Sequence, residues 1–259
     1  MSVDLAYLEP GVVASLLTLD TEPELLPPTL PAALARRLGG PEAGRRQTLG
    51  AWSVERRGAP ATPFAWSTAT ARRALGRSAL RRLVRGDDGT LGEALAHVLE
   101  HRLDRAASGY AGAGSLGAWL AGLDTSGRVT VLGAARAWAV SMLELTRGMA
   151  TWSVPESDAY YAVERSRVTL RGRRDVVAAR SLVCVRAGRP SATAGAGLRV
   201  DLLVAGLTHP TGELPAQIVG VWPDAGLALS LRASVADARR GARYVLAAAA
   251  AAGVVAAVA

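Results

Sequence analysis

Residues 168–188, VTLRGRRDVVAARSLVCVRAG, carry the clearest structural pattern in this chain. They contain two short apolar runs around a turn, which is the pattern of two adjacent β-strands. Asp175 stands at the entry to the first run, and Arg186 follows the second. The pattern therefore predicts a sheet that brings Asp175 and Arg186 side by side at an open edge, where an anion can reach them.

The flanking sequence predicts an α/β protein. A partly alternating run at 161–170 reads as a strand before the quoted stretch, and a helix at 198–207, strands at 217–222 and 227–231 and a long helix after Ser234 follow it. Upstream, helices are predicted at about 68–84, 90–107, 115–123 and 129–149, with Ser67 as an N-cap and Thr90 and Glu93 as a capping box. We divide the chain into an irregular Pro/Leu-rich segment (1–60), a helical region with a basic helix (61–125) and an α/β domain (126–259).

The order helix, three strands, helix, strand, helix resembles the core of the PD-(D/E)XK nuclease superfamily, in its RecB-like branch. In that family a strand bearing an Asp is followed by a strand that ends in acid-any-Lys. Asp175 matches the Asp, Cys184 stands at the acid position and Arg186 stands at the Lys position. Glu164, on the preceding strand, is a looser match to a further carboxylate.

The resemblance implies Mg²⁺-dependent cleavage of DNA, but the signature is broken at two positions. A thiol is a poor ligand for Mg²⁺, which prefers oxygen. Arg stays protonated and cannot act as a general base, although it still binds phosphate. We therefore expect a degenerate site in which Asp175, Glu164 and Arg186 are relics or phosphate contacts, and Asp175 is the one weak metal ligand. No cofactor is expected unless the protein is an active nuclease, in which case it is Mg²⁺.

Basic residues point to nucleic acid as a candidate partner. The chain has no lysine, 30 arginines and a net charge of +8, which favours an anionic partner. Codon bias in a GC-rich genome is an alternative explanation for the arginines. Arg73, Arg77 and Arg81 repeat every four residues beside an apolar stripe, the arrangement of a helix that tracks phosphates. The residues expected to contact DNA are Arg72, Arg73, Arg77, Arg81, Arg171, Arg173 and Arg174.

Two further features of the sequence bear on function class. The run His97-Val-Leu-Glu-His101 matches an inverted zinc-protease pattern, but no convincing third ligand follows it, and a solvent-facing polar stripe explains it as well. Cys184 is the single cysteine, so an internal disulfide is excluded.

The ends of the chain favour a cytoplasmic protein without a membrane partner. The N-terminus lacks a basic n-region, so we expect no signal peptide. The apolar run 245–259 is short for a membrane span and rich in Ala, so we expect a helix that packs on protein.

Three functions remain open from the sequence. The first is a nuclease-derived, DNA-associated or scaffold protein without cleavage activity. The second is an active Mg²⁺-dependent nuclease with a rearranged site, recruiting Glu164 with Asp201 or Glu213. The third is an interaction module with no nucleic-acid role, whose C-terminal helix docks on a partner protein or on a second copy.

Overall fold

A computed structural model describes residues 4–7, 22–39, 46–55, 65–147, 149 and 151–253. Their helices are α1 (Thr29–Leu38), α2 (Ala51–Glu55), α3 (Thr68–Arg85), α4 (Leu91–Ala107), α5 (Leu116–Ala121), α6 (Thr125–Thr146), α7 (Ala194–Thr208) and α8 (Val235–Ala251). Their strands are β1 (Asp4–Tyr7), β2 (Gln47–Gly50), β3 (Ala159–Ala162), β4 (Val168–Gly172), β5 (Val176–Ala178), β6 (Ser181–Val185), β7 (Gln217–Trp222) and β8 (Leu227–Arg232). The predicted α/β class is confirmed.

The chain forms two compact units. An α/β unit combines Met1–Ala61 with Ser157–Ala259, and a helical unit comprises Thr62–Glu156. Helix α6 packs on α3 within the helical unit, whereas the sequence-based division placed residues 126–156 with the strands. The difference arises because α6 buries Val131 and Ala135 in the same apolar core as Leu75 of α3, a helix that the sequence assigned to a different region.

Two helices of the helical unit, α3 and α4, begin at the predicted N-caps Ser67 and Thr90. The Ser67 hydroxyl accepts the N–H of Thr70 at 3.3 Å. The capping box at α4 is confirmed, because Thr90 N–H donates to Glu93 Oε2 at 2.8 Å and Glu93 N–H donates to Thr90 Oγ1 at 3.2 Å. These side chains satisfy backbone donors that a helix start leaves without partners.

Small residues bring α3 and α6 into close contact. A Cβ at Gly76 would lie 2.6 Å from the Trp138 ring and 2.9 Å from the carbonyl oxygen of Ala135. The core around this contact is mainly Ala and Leu, including the fully buried Leu75 and Leu120. Because Ala buries little area, this unit depends on close helix approach for its packing.

The α/β unit contains two mixed sheets. The first has five strands in the order β1-β8-β7-β6-β5, with β6 and β7 parallel and the other pairs antiparallel. The second has three strands in the order β2-β4-β3, with β2 parallel to β4. Every residue of β6 and β7 is buried, which explains why both strands are continuous apolar runs rather than alternating ones.

Helix α7 is the crossover between the parallel strands β6 and β7, as parallel pairing requires. It contacts strands of both sheets and packs along α8. Leu198, Val200, Leu202, Leu203 and Val204 are all fully buried. These residues lie on several sides of the helix, so α7 forms the centre of this unit.

The predicted strand at 161–170 is two strands. Strands β3 and β4 form a hairpin whose turn includes Glu164 and Arg165, the latter with a φ of 52°. Arg171 and Gly172 form the end of β4. Gly172 allows close packing there, since a Cβ would lie 2.8 Å from the Cβ of Val204 on α7. Four strands, not three, therefore lie between α6 and the crossover helix α7.

The predicted irregular segment 1–60 lies partly outside the described residues. Its described parts include two helices, α1 and α2, and two strands, β1 and β2. Strand β1 pairs with β8 and strand β2 pairs with β4. In each pairing the two strands lie more than a hundred residues apart in the chain. The positions of proline and glycine within the segment therefore do not predict these pairings.

Candidate functional site

Asp175 lies immediately before β5 and is completely buried. Its backbone N–H donates to the carbonyl of Val183 at 3.0 Å, and its carboxylate Oδ2 accepts the N–H of Val185 at 2.8 Å. The side chain therefore continues the hydrogen-bond ladder between β5 and β6 by one step. In this arrangement one carboxylate oxygen is already engaged by the backbone.

Arg186 follows β6 and lies in the interior, with 8% of its surface exposed. Its backbone N–H donates to the carbonyl of Val221 at 2.7 Å. Its guanidinium donates to Asp201 Oδ2 at 2.6 Å through Nη2 and to Glu55 Oε1 through Nη1. The expectation of an open edge is not met, because Arg186 is enclosed between two carboxylates of its own chain.

Asp201 comes from the middle of α7, and its side chain is 1% exposed. Its second oxygen, Oδ1, accepts the backbone N–H of Arg173 at 2.8 Å. Arg173 in turn donates through Nη1 to the carbonyl of Val185. We call Glu55, Arg173, Asp175, Arg186 and Asp201 the buried ion cluster. It ties α2, the segment between β4 and β5, the end of β6 and α7 together.

Burial dominates the electrostatics of the buried ion cluster. Burial raises the pKa of Asp201, and the attraction of Arg186 only partly opposes it. Burial likewise raises the pKa of Glu55 against the attraction of Arg186. For Arg186 burial alone would lower the pKa, but the charges of Asp201 and Glu55 outweigh it and raise the pKa. Arg186 therefore stays protonated and cannot accept a proton from water.

Glu55 was not singled out from the sequence. It lies 131 positions before Arg186, in a segment predicted to be irregular. Gly197 on α7 makes room for it, since a Cβ there would lie 2.0 Å from Glu55 Oε1. Gly197 therefore has a packing role in the α/β unit.

Cys184 occupies the acid position of the resemblance and is fully buried in β6. Its Sγ donates to the carbonyl of Arg173 at 3.1 Å. Burial, together with the nearby charge of Asp201, raises the pKa of the Cys184 thiol well above its ordinary value. The side chain acts here as a small buried hydrogen-bond donor.

We expect Cys184 to resist thiol reagents in the folded protein. A neutral, buried thiol reacts slowly because the thiolate is the nucleophile. Incubation with an aromatic disulfide reagent should release no chromophore under native conditions and one equivalent in denaturant. Rapid reaction of the native protein would contradict the enclosed position of this residue.

Glu164 and Glu213, two carboxylates considered for a rearranged site, lie elsewhere. The Glu164 side chain is 75% exposed and 3.6 Å from Arg165, in the turn between β3 and β4. Glu213 pairs with Arg180 at 3.3 Å. Within the described residues, no group of three or more His, Cys, Asp or Glu side chains is arranged to hold a metal ion.

The basic helix α3 has arginines with partners inside the protein. Arg77 is buried and donates to the carbonyl of Pro155 through Nε at 3.1 Å and Nη2 at 2.8 Å. Arg81 pairs with Glu156 at 3.4 Å, while Arg72 and Arg73 are half-buried. Arg77 and Arg81 therefore hold the segment after α6.

The second predicted basic cluster surrounds Asp158, whose side chain is 3% exposed. Arg171 donates to Asp158 Oδ2 through Nε at 2.9 Å and Nη2 at 2.6 Å, and its guanidinium lies 5.9 Å from the centre of the Tyr160 ring. The N–H of Arg174 reaches Asp158 Oδ1 at 3.4 Å. With Arg173 in the buried ion cluster, this group has a structural role within the α/β unit.

The run that matches the inverted zinc-protease pattern, His97 to His101, lies on α4, and its first histidine contacts a carboxylate. His97 Nδ1 contacts Asp88 Oδ1, and Arg82 donates to the same carboxylate. The Asp88 side chain is 1% exposed, so it joins the end of α3 to α4 across the loop between them. His101 is exposed on the next turn.

Comparison with known proteins assigns this chain to no family. No family model matches the chain, and no curated protein or solved structure matches it significantly. Any functional conclusion therefore comes from the residues themselves.

Proposed function

We propose that this chain is a non-catalytic, DNA-associated scaffold protein with a nuclease-like core. The observation that carries the proposal is the enclosure of Arg186 between Glu55 and Asp201, at the position where the resemblance places the catalytic Lys. The β5-β6 hairpin followed by the α7 crossover and the parallel strand β7 supports the resemblance in element order.

The chemistry of the donor set argues against metal-dependent cleavage. Mg²⁺ requires several oxygen ligands, but Asp175 accepts a backbone N–H and Asp201 is bound to Arg186 and Arg173. Cys184 supplies sulfur where an acid is needed. A buried guanidinium beside these groups repels a divalent cation, so the carboxylates stabilise Arg186 rather than a metal.

An association with DNA is supported by charge. An ion pair of one acid and one arginine is neutral, so the internal pairs leave the net charge of +8 unchanged. Several exposed arginines lie outside the buried ion cluster. Exposed arginines include Arg36, Arg37, Arg85, Arg102, Arg105, Arg189, Arg232, Arg239 and Arg243. Arginines of this kind bind phosphates without reading base sequence.

We expect the purified protein to bind duplex DNA with a strong dependence on salt and to leave it uncut. Four phosphate contacts would lower the affinity about a hundredfold between 50 and 200 mM salt. Fluorescence anisotropy across a salt series measures the first property, and labelled DNA incubated with Mg²⁺ or Mn²⁺ measures the second.

The variant Asp175→Asn separates the alternatives, because an amide oxygen still accepts the Val185 N–H. Cleavage by the wild type that is lost in Asp175→Asn would establish the active nuclease instead. Binding that is absent at low salt, or unchanged by salt, would remove the DNA association and favour the interaction module.

A further inference from the structure

Helix α6 has an exposed face that carries apolar side chains along its length. The exposed positions Val129, Gly133, Ala137, Val140 and Glu144 recur at intervals of three or four, so they lie on one face. Val129 is 64% exposed and Val140 is 39% exposed. The opposite face is the buried one that contacts α3, so apolar residues lie on both sides of α6.

By length and composition α6 is the one helix among the described residues that is apolar enough to cross a membrane, with 39% of its most apolar window buried. Its exposed face, however, carries Arg136, Glu144 and Arg147. Charged side chains near the middle of a lipid-facing helix are costly. The charges therefore favour a protein surface over lipid as the cover for this face.

The positions of two charges make the face complementary to itself. Arg136 and Glu144 each lie four residues, about one turn, from Val140, on opposite sides of it. If a second α6 runs antiparallel about an axis at Val140, Arg136 of each copy lies opposite Glu144 of the other. Two identical ion pairs then flank a central contact between the two Val140 side chains.

Small residues and a groove make room for such a partner. Nothing lies within 4 Å of a Cβ built at Gly133, and Ala137 adds little bulk, so two helices can approach closely here. At the C-terminal end, a groove of about 460 Å³ is lined by Val140, Leu143, Glu144, Arg147, Met149 and Trp152. In the antiparallel register the Val129 end of the second helix lies over this groove.

We propose that the outer face of α6 is the interface of an antiparallel, two-fold symmetric homodimer. Such an interface is isologous, because the same patch contributes from both copies. The inference goes beyond the proposed function and does not depend on it, since a dimer forms through α6 whether or not the protein binds DNA.

Charge reversal tests the register directly. Arg136→Glu and Glu144→Arg each place like charges opposite one another, and each should weaken dimerisation at least about tenfold. The double variant Arg136→Glu/Glu144→Arg should dimerise like the wild type. An equimolar mixture of the two single variants should form heterodimers, because both ion pairs are then restored.

Sedimentation velocity over a hundredfold range of concentration measures these outcomes. Arg189→Glu and Glu100→Arg make the same charge changes at exposed positions outside α6 and should leave dimerisation unchanged. A wild type that stays monomeric, a dimer that ignores the single reversals, or a mixture that does not associate would overturn the proposal. So would binding to phospholipid vesicles without self-association.

Discussion

Replacing Arg186 by methionine will lower the free energy of unfolding by about 3 to 5 kcal/mol, the usual cost of removing one partner from a buried ion pair. Methionine fills a similar volume, so the loss comes from charge. Asp201 would be left in the interior, with its side chain 1% exposed, opposed only by contacts with Arg173. Urea unfolding followed by circular dichroism measures the change.

Two variants show whether the uncompensated charge is the cause. Arg186→Met/Asp201→Asn should recover part of the loss, because the amide oxygen still accepts the Arg173 N–H while the buried negative charge is gone. Arg189→Met, at an exposed position three residues further on, should change stability by less than about 0.5 kcal/mol. If Arg186→Met behaves like Arg189→Met, the buried ion cluster does not stabilise the fold.

Replacing Gly241 by alanine will separate α7 from α8 and lower the free energy of unfolding by about 1 to 3 kcal/mol, the range for overpacked cores. A Cβ at Gly241 would lie 2.2 Å from the carbonyl oxygen of Arg199 and 2.8 Å from its carbonyl carbon. Backbone atoms in the middle of a helix cannot rotate away, so the whole helix must shift. The shift also strains the pair between Arg199 Nε and the buried Asp237 Oδ1, at 2.8 Å.

Gly195→Ala is the matched control on the same helix pair. The nearest atom to a Cβ there is Arg199 Nη1 at 3.3 Å, the end of a flexible side chain that moves at little cost. We expect its stability to stay within about 1 kcal/mol of the wild type. Equal effects of the two substitutions in thermal or urea unfolding would contradict close backbone contact at Gly241.

Many elements of both units could be predicted because their signals are local. The apolar runs of β6 and β7 are as long as the strands they form, and the segment between them contains the predicted helix. Ser67, Thr90 and Ser234 begin helices through hydrogen bonds that span three residues. Such interactions depend on neighbours in the chain, so the order of residues reveals them.

The candidate site was predicted only in part. Asp175 and Arg186 do lie close to the ends of paired strands, but their partners could not be inferred. Glu55 and Asp201 reach Arg186 from segments that are 131 and 15 residues away. A carboxylate in a short N-terminal helix has no pattern that links it to an arginine in a distant strand.

Local sequence was sufficient for the α/β class and for the starts of the helices that follow Ser67, Thr90 and Ser234. Long-range packing was needed to split 161–170 into two strands, to recruit β1 and β2 into sheets and to place α6 with α3. It also turned Arg186 from a candidate phosphate ligand into the centre of a buried ion cluster. Hydrogen-bond caps and apolar periodicity act between neighbouring residues, whereas the burial and pairing of a charge depend on which distant segments fold around it.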